Sequence, residues 1–226
     1  MPAAVVEATG LYHIYRERDV ETVALRGAEL SLQPGSWTSL MGPSGSGKST
    51  LLQILAGLLT PSAGTVRIAG EELTAMSSDE RATCRRRRIG IVLQRDNLHP
   101  DLDVAGNVAL PLRLDGRPSA VIGGRVTALL DEVGLADRRR GRANQISGGE
   151  AQRAALAVAL AASPDVLLAD EPTGELDEET AARVLDLIEQ ARSAHGMAVV
   201  TVSHNPMVAE RADQRLVMRD GLIGDD

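Results

Sequence analysis

Lys48 is the only lysine in 226 residues; the other members of a basic set of 24 are all arginine. It lies in the run Gly42-Pro43-Ser44-Gly45-Ser46-Gly47-Lys48-Ser49-Thr50, which fits the phosphate-loop pattern G-x-x-x-x-G-K-[ST]. Glycines let such a loop curl until successive backbone N–H groups point inward. The helix that opens behind it adds partial positive charge, so the loop is suited to phosphate oxygens. Lys48 would reach the β- and γ-phosphates of a nucleotide, and the Ser49 hydroxyl would ligate Mg²⁺. A plain Gly/Ser-rich turn is the alternative, and it gives no reason for keeping the sole lysine here.

Two further runs carry chemistry. Val166-Leu-Leu-Ala-Asp170-Glu171 is an apolar segment that delivers carboxylates at its C-terminal end, where α/β folds place their ligands. Asp170 would hold the Mg²⁺ shell and Glu171 would polarise the water that attacks the γ-phosphate. Alone this is no more than an acidic strand end; downstream of a phosphate loop it is specific. Ile146-Ser147-Gly148-Gly149-Glu150-Ala-Gln-Arg153 opens a second helix, with Ser147 as N-cap and Glu150 completing a capping box. Capping explains those two residues but leaves Gly148 and Gly149 as costly helix formers without a reason.

These motifs, in this order, resemble those of the ABC ATPases, and the run from Ile146 to Arg153 is similar to that family's signature sequence. The resemblance runs from about Val5 to Leu222. It implies ATP and Mg²⁺ as ligands and a head-to-tail pair of identical subunits. In that pair Ser147, Gly148, Gly149 and Glu150 of one copy cover the ATP on the phosphate loop of the other. Gln94 resembles the Q-loop glutamine that contacts Mg²⁺ and the attacking water. Asp177, in Gly174-Glu-Leu-Asp177, resembles the D-loop aspartate at the dimer interface. His204 resembles the switch histidine that contacts the γ-phosphate and braces the glutamate. Tyr15 resembles the aromatic that stacks on adenine, with Tyr12 as an open alternative. Ile146 replaces the usual Leu and Leu93 the frequent aromatic; neither change removes a catalytic group.

Within the family, the string from Leu167 to Asp177 and the segment Gly106-Asn-Val-Ala-Leu-Pro-Leu112 are most similar to the branch that serves lipoprotein release, macrolide efflux and cell-division permeases. The resemblance therefore implies an ATPase subunit that drives an integral membrane permease from the cytoplasmic face of the cell membrane. A non-transporting regulator and an importer ATPase stay open. A DNA-repair ATPase head would carry a coiled coil or zinc module between the phosphate loop and the signature, where this chain has 98 residues between Lys48 and Ser147 and one cysteine. A small P-loop kinase would lack the Ser-Gly-Gly run.

The elements needed to position these residues are legible as periodicities. Residues 5–40 read as short strands, with Pro34-Gly35 as a turn. Residues 48–59 read as a helix and 65–69 as a strand. Residues 89–93 read as a strand, and 165–169 and 198–203 as buried parallel strands joined by a helix. A helix is predicted over 119–133 and a last strand near 215–219. The fold class is α/β: a P-loop NTPase core with a parallel sheet, an N-terminal antiparallel β layer and an inserted α-helical subdomain. One domain spans 1–226, with 1–94 and 162–226 forming a RecA-like core and 95–161 the helical signature subdomain; the chain leaves no room for a regulatory domain.

Composition narrows the partners. A net charge of −7 opposes nucleic-acid binding, which needs a basic footprint. The arginine runs 85–88 and 138–140 are read as a solvated helix face and loop, with contact to a permease or the membrane surface left open. Cys84 is the only cysteine, which excludes an internal disulfide and suits a reducing compartment. No window approaches 18 uninterrupted apolar residues, so the expectation is a chain that neither spans nor crosses a membrane unaided. With no Phe and only three aromatic residues, the core must be built from aliphatic side chains and Ala-rich helices.

Overall fold

The computed structural model describes residues 3–17 and 20–225. Apolar residues alternating with polar ones near the N-terminus fold as a long antiparallel ribbon, β1 (Val6–Glu17) against β2 (Val20–Leu32). β4 (Ala63–Ile68) and β5 (Glu71–Glu72) extend it in the order β2-β1-β4-β5. This is the expected antiparallel layer, but its first strands are 12 and 13 residues long rather than short. Register shifts along β1 break the alternation, and the pattern consequently reads as several pieces.

The second sheet has the order β10-β9-β3-β8-β7-β6. β3 (Trp37–Met41), β8 (Ala198–Val202), β7 (Val166–Asp170) and β6 (Ile89–Val92) run parallel, and β9 (Gln214–Arg219) lies parallel to β3. β10 (Leu222–Asp225) closes the edge as an antiparallel hairpin with β9, a strand that periodicity did not reveal. The central strands are buried on both faces, which is why they read as unbroken apolar runs.

Between the two sheets lies α1 (Lys48–Leu55). Leu51, Ile54 and Leu55 share a fully buried cluster with Leu25, Leu30, Leu168 and Val200. α1 stops four residues earlier than expected, where Gly57 takes a positive φ of 64° and Leu73 packs against it. On the other face of the parallel sheet, α3 (Val104–Leu114), α4 (Ser119–Glu132), α5 (Gly148–Leu160) and α6 (Glu178–His195) share a second cluster with Trp37, Leu167 and Val199. Ala154, Ala155, Ala157 and Ala159 fill the α5 side of it. Small side chains there let the helices pack closely in the absence of phenylalanine. Trp37 is fully buried, and its Nε1 donates to Thr201 Oγ1 at 3.1 Å. α7 (Pro206–Arg211) follows β8.

The run 85–88 is only partly a solvated face, since its arginines are also engaged. It ends α2 (Ser78–Arg88), where Arg85 donates to Gly57 O at 3.0 Å, Arg87 to Asp115 at 2.6 Å and Arg88 to Asp165 at 3.1 Å. These bonds stitch α2 to α1, to the end of α3 and to the start of β7. No helix among the described residues is long and apolar enough to cross a membrane.

Candidate active site

The order β3-β8-β7-β6 sets four parallel strand ends side by side, and each delivers part of the constellation. The phosphate loop follows β3, His204 follows β8, Asp170 and Glu171 end β7, and Gln94 follows β6. They line one cleft of about 660 Å³ together with Ser44, Gly45, Gly47, Ser49 and Thr50. Tyr15 closes one side, its hydroxyl 3.3 Å from Thr50 Oγ1 and its ring edge-on to His13 at 4.6 Å. Tyr12 instead packs across the ribbon against Gly27 and does not line the cleft. Thr22, Val23 and Ala24 of β2 also line it, a contribution of the ribbon that no sequence pattern announced.

The loop conformation depends on glycine. Gly47 has φ 108°, and a Cβ there would lie 2.5 Å from Ala24 O, so the tight entry into α1 excludes any side chain. Lys48 curls back over the loop, its Nζ donating to Gly42 O at 2.7 Å and Pro43 O at 2.8 Å, with Ser46 Oγ at 3.5 Å. Burial lowers the pKa of this ammonium, while the carboxylates of Glu171 and Asp170 oppose the shift. A phosphate would replace both carbonyls as its partner and stabilise its charge.

Asp170 carries the complementary strain. Burial pushes its pKa up, and the Ser49 hydroxyl and Lys48 only partly offset this. A carboxylate held in a site that disfavours its charge, next to a hydroxyl and an amide side chain, offers the hard-oxygen donors that Mg²⁺ takes while keeping several waters and substrate phosphates. The residues therefore fit that cation. Because the folded-state pKa is raised, ionisation of Asp170 costs stability at neutral pH, and that cost disappears as pH falls through the folded pKa. Asp170→Asn is accordingly expected to raise the nucleotide-free melting temperature while abolishing Mg²⁺-dependent turnover. Calorimetry without and with MgATP checks both halves.

Glu171 is held in an uncommon backbone conformation, φ 47°, by its N–H donating to Val202 O at 2.8 Å and its carbonyl accepting from Gly174 N at 3.1 Å. Left-handed φ at a non-glycine residue costs on the order of 1 kcal/mol and persists where surroundings over-determine it. The carboxylate is fixed as well. Oε2 accepts from Ser203 Oγ at 2.8 Å and Oε1 from the His204 N–H at 3.1 Å, with His204 Nε2 at 3.8 Å from Oε1. Ser203 was not singled out from the sequence, since a serine ending a buried strand carries no pattern of its own. Asn205 extends the bracing, donating to Thr173 Oγ1 at 3.2 Å while capping α7.

Not every candidate joins the cleft. Ser147 caps α5 and forms the full capping box with Glu150, the Ser147 N–H donating to Glu150 Oε2 at 2.8 Å and Glu150 N to Ser147 Oγ at 3.2 Å. Arg138 adds a 2.9 Å ion pair to Glu150. Asp177 caps α6 through Thr180 N at 3.0 Å. Ser147, Gly148, Gly149, Glu150 and Asp177 all lie outside the cleft of their own chain. Gly149 has a local reason after all: a Cβ there would sit 2.5 Å from Thr180 Cγ2, where α5 and α6 start against each other. Gly148 has no such neighbour within 4 Å, so packing leaves this glycine alone unexplained.

Comparison with known proteins gives the family. The ABC transporter family model matches residues 25–174. The lipoprotein-releasing system ATP-binding protein LolD 1 of Caulobacter vibrioides is 43% identical over 220 residues, covering 97% of this chain and 94% of that protein. The macrolide export ATP-binding/permease protein MacB of Rhodopseudomonas palustris (strain HaA2) is 40% identical over 223 residues, covering 99% of this chain; the chain spans 34% of that relative's length. Among solved structures, a dimeric post-hydrolysis state of an ATP-binding cassette bound to ADP and Pi superposes with a TM-score of 0.90 at 33% identity, covering 97% of this chain and 98% of that one. A dimeric bacterial ABC transporter cassette does so with 0.90 at 34%, covering 96% of each. This protein belongs to the ABC transporter family, and its fold is that of the family's ATP-binding cassette.

Proposed function

We propose that the chain binds MgATP between two copies of itself arranged head to tail, hydrolyses it, and thereby drives a membrane permease of the efflux or lipoprotein-release type from the cytoplasmic face. The observation that carries this reading is a division of labour. One cleft gathers Tyr15, Lys48, Ser49, Gln94, Asp170, Glu171 and His204, while the capped helix start at Ser147-Gly148-Gly149 lies outside that cleft, with open space where a side chain on Gly148 would be. A second copy is what would bring that helix terminus to the γ-phosphate.

In this reading the loop N–H groups and Lys48 bind and orient the β- and γ-phosphates. Ser49, Asp170 and Gln94 would hold Mg²⁺, which when bound neutralises charge on the phosphate oxygens. Glu171 accepts the proton of the attacking water, kept in position by Ser203 and the His204 backbone; the His204 imidazole is free to reach the γ-phosphate. Ser147 and Gly148 of the partner copy stabilise charge on the γ-phosphoryl group as it is transferred to water. Residues 95–161 form the helical subdomain that carries this signature, and 1–94 with 162–226 the core that carries the nucleotide.

Tyr15 supplies the adenine platform. Tyr15→Ala is expected to weaken ATP binding by about tenfold, the scale of one lost base–aromatic stack, while Tyr12→Ala leaves it unchanged; fluorescent-nucleotide titration separates them. The permease is tested by extracting membranes that contain tagged Glu171→Gln with ATP present. Recovery of an integral membrane protein that is absent when Lys48→Ala is also introduced supports the transporter reading. Recovery of soluble partners alone under every nucleotide condition sinks it.

A further inference from the structure

On a chain of net charge −7, positive charge is concentrated at one place outside the nucleotide cleft. Arg113, Arg117, Arg139, Arg140 and Arg142 all line a groove of about 860 Å³ between α3, α4 and the loop that precedes the signature. Arginines elsewhere are mostly engaged: Arg86, Arg87, Arg88, Arg138, Arg192 and Arg211 all pair with carboxylates. Of the groove arginines only Arg117 does so, with Asp115. Among the described residues, Arg113, Arg139, Arg140 and Arg142 have neither an ion pair nor a side-chain hydrogen bond. The groove's own carboxylates form no ion pair with them: Asp103 caps α3 through Gly106 N at 2.6 Å, and Asp101 points into solvent, 87% exposed.

The arginine loop is fixed rather than trailing. Val104 N donates to Gly141 O at 2.8 Å and Ala105 N to Arg139 O at 2.9 Å, so two of the first N–H groups of α3 hold the backbone that carries these guanidiniums. Beneath them Ala109, Ile122 and Val126 are almost wholly buried and expose little apolar surface. Such a groove is too polar for the apolar face of a docking helix; it suits a small, strongly anionic group.

We infer that this groove is a docking site for anionic phospholipid headgroups, with the arginines on phosphate oxygens. Guanidinium and phosphate match in bidentate geometry, and each basic residue near an anionic leaflet strengthens binding by roughly fivefold. The site would hold the cassette against a membrane independently of any permease.

The test uses the full chain and vesicles without a permease, so its outcome does not depend on the transporter reading. Co-sedimentation is measured with phosphatidylcholine vesicles and with vesicles carrying roughly 30 mol% phosphatidylglycerol. The expected result is binding to the second only, weakened at least about 25-fold by R139E/R140E and not by R26E/R219E, which makes the same charge change on exposed strands elsewhere. ATPase rates in solution should match the parent in all variants, which shows that they fold. Equal binding to both vesicles, or equal loss in both variant pairs, overturns the proposal. Displacement by millimolar inorganic phosphate would reassign the groove to a soluble anion. Capture of polyglutamate without vesicle binding would reassign it to an acidic protein segment.

Discussion

Glu171→Gln is expected to lower ATP hydrolysis by about 10²–10⁴-fold, the contribution of a positioned general base, with ATP affinity undiminished. The substitution is unusually clean in this site. The His204 N–H can only donate and faces Oε1, whereas the Ser203 hydroxyl faces Oε2 and can rotate to accept. A glutamine therefore fits with its carbonyl toward His204 and its NH₂ toward Ser203, keeping shape and both hydrogen bonds. What is lost is the ability to take a proton from water. Nucleotide should stay bound and copies held together by ATP should accumulate. Turnover within about threefold of the parent, on a scale where a base contributes at least 10², would place the base elsewhere.

Lys48→Ala is expected to act earlier, at binding. Removing a charge-assisted contact to two phosphates should weaken ATP by about 10–100-fold and make hydrolysis undetectable. The fold should survive, because Lys48 in the free chain donates only within its own loop, to Gly42 O, Pro43 O and Ser46 Oγ, and burial disfavours its charge. Trp37, fully buried behind the same strand, gives a fluorescence check that β3 is intact. Lys48→Arg should not rescue binding, since a planar guanidinium is not interchangeable with a compact ammonium at a tight loop. The point is sharpened by this sequence, in which arginine occupies every other basic position. Calorimetric titration with ATP settles both variants.

The parts legible in the sequence were those whose meaning is local. A glycine loop followed by a lysine and an amphipathic helix, and an apolar run ending in two carboxylates, each imply geometry within a few residues, and the parallel sheet follows from unbroken apolar strands. What depends on tertiary approach was not legible. The ribbon's register shifts concealed two long strands. The arginines of α2 read as solvated because Asp115 and Asp165 lie 27 or more residues away in sequence. Ser203 is an ordinary residue until Glu171 is placed beside it. Gly149 read as a phosphate-facing glycine, yet the side chain of Thr180 on another helix already forbids a Cβ there. The choice between Tyr12 and Tyr15 was likewise a matter of which face of a bulged strand meets the cleft, and it is Tyr15 that lines it.

That leaves Gly148 as the residue on which the shared site turns, and its open surroundings make it a good probe. A side chain at the first helical position meets nothing within 4 Å, and an acidic one there is favourable to the helix itself. Gly148→Asp should therefore fold and bind ATP through its own phosphate loop, but set a negative charge against the partner's γ-phosphate. Sedimentation of Glu171→Gln with saturating ATP, with and without Gly148→Asp, measures this directly. The account predicts a dimer for the single variant and an ATP-bound monomer for the double. Undiminished dimerisation of the double variant would mean that the signature helix does not face the nucleotide of a second copy.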